Sequence, residues 1–272
     1  MQFVDKAFAR RLESGEEMPQ VFYARVFQKR RPEIGAAEEE VCGGHMSFCG
    51  LGSPVGRAVG LGLDRPFTAA DLDHVEAFYR SHKAPAQVDL CPMHDPAVFE
   101  MFKERGYAVA ELNSVLYRKL DAEEKSSPPP AGCEIRHARI EEADVTGAIV
   151  ESAFFPDGAP EAFRGLVAPL YQMDGALAFV ASIDGKPVAC GTGLVIPEHR
   201  VFALCGAGTL VGYRERGLQT ALLRARMAAA VEAGCEYGVV VTQGGSTSQR
   251  NAERLGFRVA YSKVTVIKQM AS

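Results

Sequence analysis

The apolar positions divide the chain into two stretches, each of which alternates strands with helices. In the first, Thr68-Ala69-Ala70-Asp71 has the form of a capping box and opens a helix whose Leu72, Val75, Phe78 and Tyr79 share one face. A short strand over 87–91 follows, then a second helix carrying Val98, Phe99 and Phe102. Gly106-Tyr107 next turns the chain into a run of strand formers over 108–117. In the second stretch, 133–137 reads as a strand, 141–154 as a helix and 158–171 as a looser helical segment. Asp184-Gly185 is a hairpin turn signal joining antiparallel strands over 176–183 and 186–196. A strand over 200–209, a loop over 210–217 and a helix with Leu218, Leu222, Ala225 and Ala229 on one stripe come next. Residues 237–242 form a compact apolar strand, and Ser246 with Gln249 three residues on caps a helix ending at Gly256.

Between the stretches, residues 121–131 run from Glu-Glu-Lys-Ser-Ser into three consecutive prolines, a composition that extends rather than packs. The expected organisation is therefore an N-terminal lobe over 1–120, a linker over 121–131 and a second domain over 132–272. The ends of the two halves align: Glu104-Arg105-Gly106-Tyr107-Ala108-Val109-Ala110 lies beside Arg254-Leu255-Gly256-Phe257-Arg258-Val259-Ala260. Each follows a strand, a loop and a short helix and precedes a terminal strand, which points to an internal duplication. The fold class expected is α/β, a mixed sheet flanked by helices, in two lobes.

Composition narrows the functions available. The 272 residues are 47% apolar, enough for one or two cores, with 30 basic against 34 acidic residues and a net charge of −4. No run of Lys or Arg forms a stripe able to track phosphates, so no nucleic-acid partner is expected. Apolar stretches are interrupted well before the roughly 18 residues of a membrane span. The start, 1–11, is charged and lacks a small-residue cleavage site, so no membrane partner and a cytoplasmic location are expected. Seven scattered cysteines fit a reducing compartment better than a disulfide framework.

The informative segment is 209–223, Thr209-Leu210-Val211-Gly212-Tyr213-Arg214-Glu215-Arg216-Gly217-Leu218-Gln219-Thr220-Ala221-Leu222-Leu223. It joins a strand to a helix, where a turn leaves successive backbone N–H groups facing one concavity. The first helical turn adds unsatisfied donors and a partial positive charge, so a diphosphate fits without dedicated lysines. An ordinary Gly-containing strand-to-helix turn is the plainer alternative for these residues taken alone. No Gly-x-x-x-x-Gly-Lys-Ser/Thr occurs, and Gly206-Ala207-Gly208 has Val211 where a dinucleotide fold needs its third glycine. The glycines at 206 and 208 instead suit a kink or bulge.

Arg214, Gly217 and Leu218 resemble the acetyl-CoA diphosphate loop of the GCN5-related N-acetyltransferase (GNAT) family, Arg or Gln, two residues, Gly, one residue, Gly or Ala. Gln219 stands where a small residue is usual; its side chain either points away or contributes an amide donor. The element order from 200 to 268, and the helix 248–257 with its Gly-Phe exit, are also similar to the family, and the resemblance covers 132–268. It implies a two-lobed GNAT fold with a degenerate N-terminal copy, in which Asp64-Arg65-Pro66 replaces the phosphate loop and whose role is to complete an acceptor cleft. It further implies acetyl-CoA as cosubstrate and no metal. The cofactor contacts it implies are Thr209, Leu210, Val211, Arg214, Glu215, Arg216, Gly217, Leu218, Gln219, Thr220, Thr242 and Asn251. The reaction implied is transfer of an acetyl group to an unidentified amine on a small molecule or peptide, in a monomer or homodimer. A backbone N–H around Leu204 to Ala207 would face the developing oxyanion. The family's proton-donating tyrosine corresponds to Ala252, and the strand 201–209 carries no carboxylate, so no catalytic acid or base is assigned. A catalytically inactive acyl-CoA-binding regulator is therefore the rival reading, and transfer from a larger aminoacyl donor a third.

Glu151, Phe154, Phe155 and Asp157 lie where acceptor pockets of the family are built, although packing explains the phenylalanines. Cys42, His45, Cys49, Cys91 and His94 lack finger-like spacing and suggest no metal site. His137 and His199 read as surface or strand-end residues, and Glu38-Glu39-Glu40 as a solvated run.

Overall fold

The computed structural model describes residues 3–270. In chain order its elements are α1 (Lys6–Arg30), β1 (Ala37–Val41), β2 (Gly44–Phe48), α2 (Ala69–Ser81), β3 (Ala86–Leu90), α3 (Pro96–Glu104) and β4 (Ala108–Lys119). After the linker come β5 (Cys133–His137), α4 (Ala143–Phe154), β6 (Ala176–Ile183), β7 (Lys186–Ile196), β8 (Val201–Thr209), α5 (Leu218–Glu232), β9 (Tyr237–Gln243), α6 (Thr247–Arg254) and β10 (Arg258–Lys268). The looser helical segment is two 3₁₀ turns, Glu161–Phe163 and Ala168–Gln172. These elements make a mixed, mostly antiparallel α/β fold in two compact units. The first unit comprises the chain up to Tyr117, Val241–Arg250 and everything from Arg258 on; the second comprises Arg118–Val240 and Asn251–Phe257. The last strand of the sequence therefore belongs with the first unit.

In that first unit, β1 and β2 form a hairpin, and β10 pairs antiparallel with both β3 and β4, so that Val266 sits opposite Val88 on one side and Val109 on the other. Glu38, Glu39 and Glu40, read from sequence as a solvated run, are part of β1. Two of them ion-pair, Glu38 with Arg25 at 3.0 Å and Glu39 with His74 at 2.8 Å.

Helix α1 left no apolar pattern in the sequence because its buried face is partly polar. Asp5 caps it by accepting from the Phe8 N–H at 2.8 Å, and Phe8, Leu12, Val21 and Phe27 are buried beside Glu13, Glu17 and Gln20. Each polar group has a partner elsewhere in the unit. Gln20 Oε1 accepts from the N–H groups of Gly56 and Arg57. Glu17 takes His45 at 2.6 Å and Arg10 at 2.6 Å. Tyr261 donates to Glu13 at 2.6 Å, and Lys263, fully buried, meets Glu13 at 3.3 Å, Asp89 at 3.2 Å and also Glu16. Burial alone would push Lys263 down, but the three carboxylates outweigh it and hold its ammonium well above the usual lysine range.

The second unit is built around β5, β6, β7 and β8, antiparallel in sequence order, with β9 added parallel to β8. Asp184 and Gly185 both have positive φ, 50° and 73°, the backbone a tight two-residue hairpin needs. Consecutive β7 residues face opposite helices. Cys190 reaches the Thr146 carbonyl of α4 at 3.4 Å, while a Cβ on Gly191 would strike Arg226 of α5. The predicted α5 stripe of Leu218, Leu222, Ala225 and Ala229 packs on Phe179, Ala181, Val188 and Ala189.

The two units repeat one order of elements. In the first, Val59 bridges antiparallel to His45 of β2 and Ala58 bridges parallel to Val88 of β3, across helix α2. In the second, β8 is antiparallel to β7 and parallel to β9, across helix α5. The aligned junctions share their hydrogen bonds. Gly106 and Gly256 have φ of 79° and 84°, and the following Tyr107 and Phe257 donate to the carbonyls of Phe102 and Ala252. Among the described residues, no helix is long and apolar enough to cross a membrane.

The Lys263 cluster predicts that Lys263→Met leaves buried carboxylates without their cation. Urea unfolding should show a loss of on the order of 3–5 kcal/mol, and a change under 1 kcal/mol would show that the cluster is not held by this charge.

Candidate functional site

Strand β8 ends in a bulge. Cys190 of β7 sits opposite Gly208 and Thr192 opposite Cys205, so Gly191 alone faces both Gly206 and Ala207. Gly206 has φ of 52°, and a Cβ there would lie 2.5 Å from Thr192 Oγ1 and 2.6 Å from Leu170 Cδ1. A Cβ on Gly208 would lie 2.8 Å from the Val150 Cα of α4. Both glycines are thus fixed by close approach, and the bulge lies where their spacing suggested. The parallel pairing of β8 with β9 stops at Ala203 and Val239. From Leu204 to Thr209, β8 runs on beyond its last parallel pair.

The loop after β8 is exposed, apart from the half-buried Leu210 and Tyr213, and α5 starts at Leu218. The Leu210 N–H is taken by the Val188 carbonyl at 3.0 Å, which ties the start of the loop to β7, and a 3₁₀ turn over Val211–Tyr213 follows. The N–H groups of Tyr213 and Arg214 are satisfied inside that turn. From Glu215 to Thr220, no backbone N–H has a protein acceptor among the described residues. Glu215 and Gly217 have φ of 64° and 74°. Left-handed residues within such a run turn successive amides toward one side, the arrangement of an anion nest. Gly217 is the N-cap of α5 and offers no side-chain bond, so the helix terminus is uncapped by the protein. A Cβ on Gly217 would meet only Pro130 Cγ, at 3.8 Å, which leaves the approach to these amides open.

The side chains of the loop brace it rather than fill it. Arg214 donates to the Ala153 carbonyl at the end of α4, at 2.8 Å, and to the Thr209 carbonyl at 3.4 Å. Arg216 lies over the Tyr213 ring, 5.2 Å from its centroid. Gln219 turns back from the loop, its Nε2 donating to the Gly208 carbonyl and to Thr209 Oγ1, both at 2.9 Å. Of the two sequence alternatives for Gln219, the structure has the side chain pointing away. The Thr220 side chain is exposed and Leu218 is buried in the core.

The remaining sequence candidates are distributed more widely. Thr242 falls in the segment that belongs to the first unit, buried, with a hydroxyl that has no hydrogen-bond partner. Asn251 is half-buried on α6, and Ala252 beside it is buried. Glu151 accepts from the Gly165 N–H at 2.6 Å and so holds the connection after α4, while Phe154 and Phe155 contact Phe163. His45 serves Glu17, as described, and the Cys42 thiol faces the carbonyls of Arg65 and Pro66.

What sequence reasoning did not find is Arg226 on α5. It is fully buried, donates to the Leu222 carbonyl at 3.2 Å and to the Thr192 carbonyl at 2.8 Å, and makes no ion pair among the described residues. Burial pulls its guanidinium down to about 10. Gly191, which leaves the space the guanidinium occupies, was the only signal available.

Residues 148–257 match the family model described as Acetyltransferase (GNAT) family. The matched segment contains the bulge, the loop and α5. The whole fold is similar to a GCN5-related N-acetyltransferase from Kribbella flavida, with a TM-score of 0.65, 18% identity and coverage of 91% of this chain and 96% of that one. It is also similar to a tandem GNAT protein from the clavulanic acid biosynthesis pathway, with a TM-score of 0.63, 14% identity and coverage of 84% and 79%. No curated protein matches the sequence.

If Gln219 ties the helix start to the strand end, Gln219→Leu leaves a buried carbonyl and hydroxyl unmatched. Thermal or urea unfolding should register a loss of about 1–3 kcal/mol, whereas an unchanged midpoint would mean that water replaces the amide without cost.

Proposed function

We propose that the second unit grips the diphosphate of acetyl-CoA at residues 214–220, and that the chain is an acyl-CoA-dependent N-acyltransferase acting on an amine of a small molecule or peptide. The observation that carries this reading is the run of N–H groups from Glu215 to Thr220 without protein acceptors, at the uncapped start of α5. Such donors, with the positive end of the helix behind them, suit a doubly charged diphosphate and need no lysine. The pantetheine arm would run along β8 from Thr209 toward Leu204, where the strand has left its parallel partner. An amine attacking the thioester carbonyl there would build negative charge beside the backbone amides of the bulge.

The first unit offers no second site of this kind. Helix α2, which follows the corresponding strand position, has its N-terminus occupied by its own anion. Asp71 accepts from the Thr68 N–H at 2.8 Å and from Arg65 at 2.6 Å and 2.9 Å, and the Arg65 guanidinium holds its carboxyl well below the usual range. One coenzyme per chain is the stoichiometry this predicts.

Ala252 and the absence of a carboxylate on β8 keep one rival in view, a regulator that binds acyl-CoA without turnover. Labelled acetyl-CoA offered with a panel of amines, aminoglycosides and amino acids separates the two: label on any acceptor supports the transferase, and tight coenzyme A binding with no transfer supports the regulator. Calorimetry tests the site itself. Gly217→Glu places a carboxylate among the free amides on a backbone with φ of 74°, and should abolish acetyl-CoA binding. Unchanged affinity would move the diphosphate elsewhere.

A further inference from the structure

Arg226 presents a physical problem that its neighbours do not solve. A guanidinium keeps its charge near neutral pH, and a buried charge without an opposite partner is costly. Its two hydrogen bonds go to carbonyls, of Leu222 and Thr192, and among the described residues no Asp or Glu pairs with it. The titratable groups that face it are Cys205 of β8, Cys190 of β7 and Tyr171 of the 3₁₀ turn after α4. Burial pushes all three up, Cys190 to about 12, so none is an anion near neutral pH. The charge is also placed deliberately, because a Cβ on Gly191 would lie 2.6 Å from Arg226 Cζ.

The position of this cation relates it to the bulge. The Thr192 carbonyl that accepts from Arg226 belongs to the residue opposite Cys205, and Thr192 Oγ1 donates to the Cys205 carbonyl at 3.0 Å. Cys205 lies on the part of β8 beyond its last parallel pair. One to two strand spacings, roughly 5–10 Å, therefore separate the guanidinium from the free edge of β8. Any acyl transfer from a thioester must place negative charge at that edge. The amine lone pair forms the C–N bond, the C–S electron pair leaves on sulfur, and the ammonium proton passes to water. With no proton donor assigned to the sulfur, its charge needs a cation.

We infer that Arg226 is the fixed positive charge that stabilises coenzyme A sulfur as the thiolate beside the β8 bulge. The inference rests on the cofactor reading above. Arg226 acts through space as a positioning residue for charge and does not touch the thioester.

The test compares coenzyme A, whose thiol titrates near 8.5 when free, with acetyl-CoA, which has no titrating sulfur. Calorimetric affinities of both are measured on the intact chain from about pH 7 to about pH 9, below the value of about 10 to which burial pulls Arg226. Coulomb attraction over such a distance at an effective dielectric of about 20 lowers the bound thiol by about one to two and a half pKa units. A thiol lowered on binding makes affinity rise with pH, so the coenzyme A to acetyl-CoA affinity ratio should increase about eight- to twentyfold across the range. Other titrations act on both ligands and cancel. Arg226→Met should flatten the ratio with acetyl-CoA affinity retained. A flat ratio in the native protein, or a rise that persists in Arg226→Met, overturns the inference while leaving the cofactor site standing. If neither ligand binds, the cofactor reading falls and this inference with it. Should the Met variant fail to fold, the native slope alone decides.

Discussion

The bulge between β7 and β8, where Gly191 faces both Gly206 and Ala207, is the constraint on which the second unit depends. An extra residue in one strand bends it and disturbs its pairing, and β8 is last paired with β9 at Ala203, a few residues before the bulge. Three glycines make the bend possible for three different reasons. Gly206 takes a left-handed backbone, Gly208 lets α4 come close, and Gly191 clears space for the Arg226 guanidinium. The strand end is then fixed from the loop side, since Gln219 of the following helix donates to both Gly208 and Thr209. Bulge, strand end and helix start form one braced piece, and the row of free amides is its outer surface.

A comparison of α2 with α5 shows how the same helix terminus is used in two ways. Every helix begins with N–H groups that its own backbone cannot satisfy. In α2 the chain supplies the answer with Thr68 and Asp71, and Arg65 locks the carboxylate in place. In α5 it supplies nothing, and the preceding glycine and Glu215 adopt left-handed backbone that extends the exposed amides back along the loop. A filled cap contributes stability, whereas an unfilled one keeps donors available for a ligand.

The buried cations Lys263 and Arg226 follow the same division. Lys263 is surrounded by Glu13, Glu16 and Asp89, and its charge is matched within the fold. Arg226 has only carbonyl oxygens for partners, so its charge stays available to act on something else nearby. Low local polarity strengthens both effects, holding the first network together and extending the reach of the second.

Much of both units was legible in the sequence where the signals are local. The α5 stripe, the Asp184-Gly185 turn, the capping box at Thr68 and the loop from 210 to 217 each depend on residues close together in the chain, and each is where the pattern puts it. Helix α1 was not legible, since Glu13, Glu17 and Gln20 look solvent-facing until partners distant in sequence are brought to them, and strand β1 was not legible because its glutamates, of which Glu39 and Glu40 do stay exposed, break the apolar pattern. Arg226 was illegible for a related reason: one charged residue on a helix reads as exposed, and only the packing of Gly191 against it reveals that it is buried. The destination of β10, which joins the first unit although it ends the second half of the sequence, was likewise decided by strand pairing between residues more than 140 positions apart. The sequence determined many of the helices, strands and turns, because those follow from near-neighbour geometry. Tertiary structure alone decided which polar groups are buried, which charges are matched and which amides remain free, because those depend on what the folded chain places beside them.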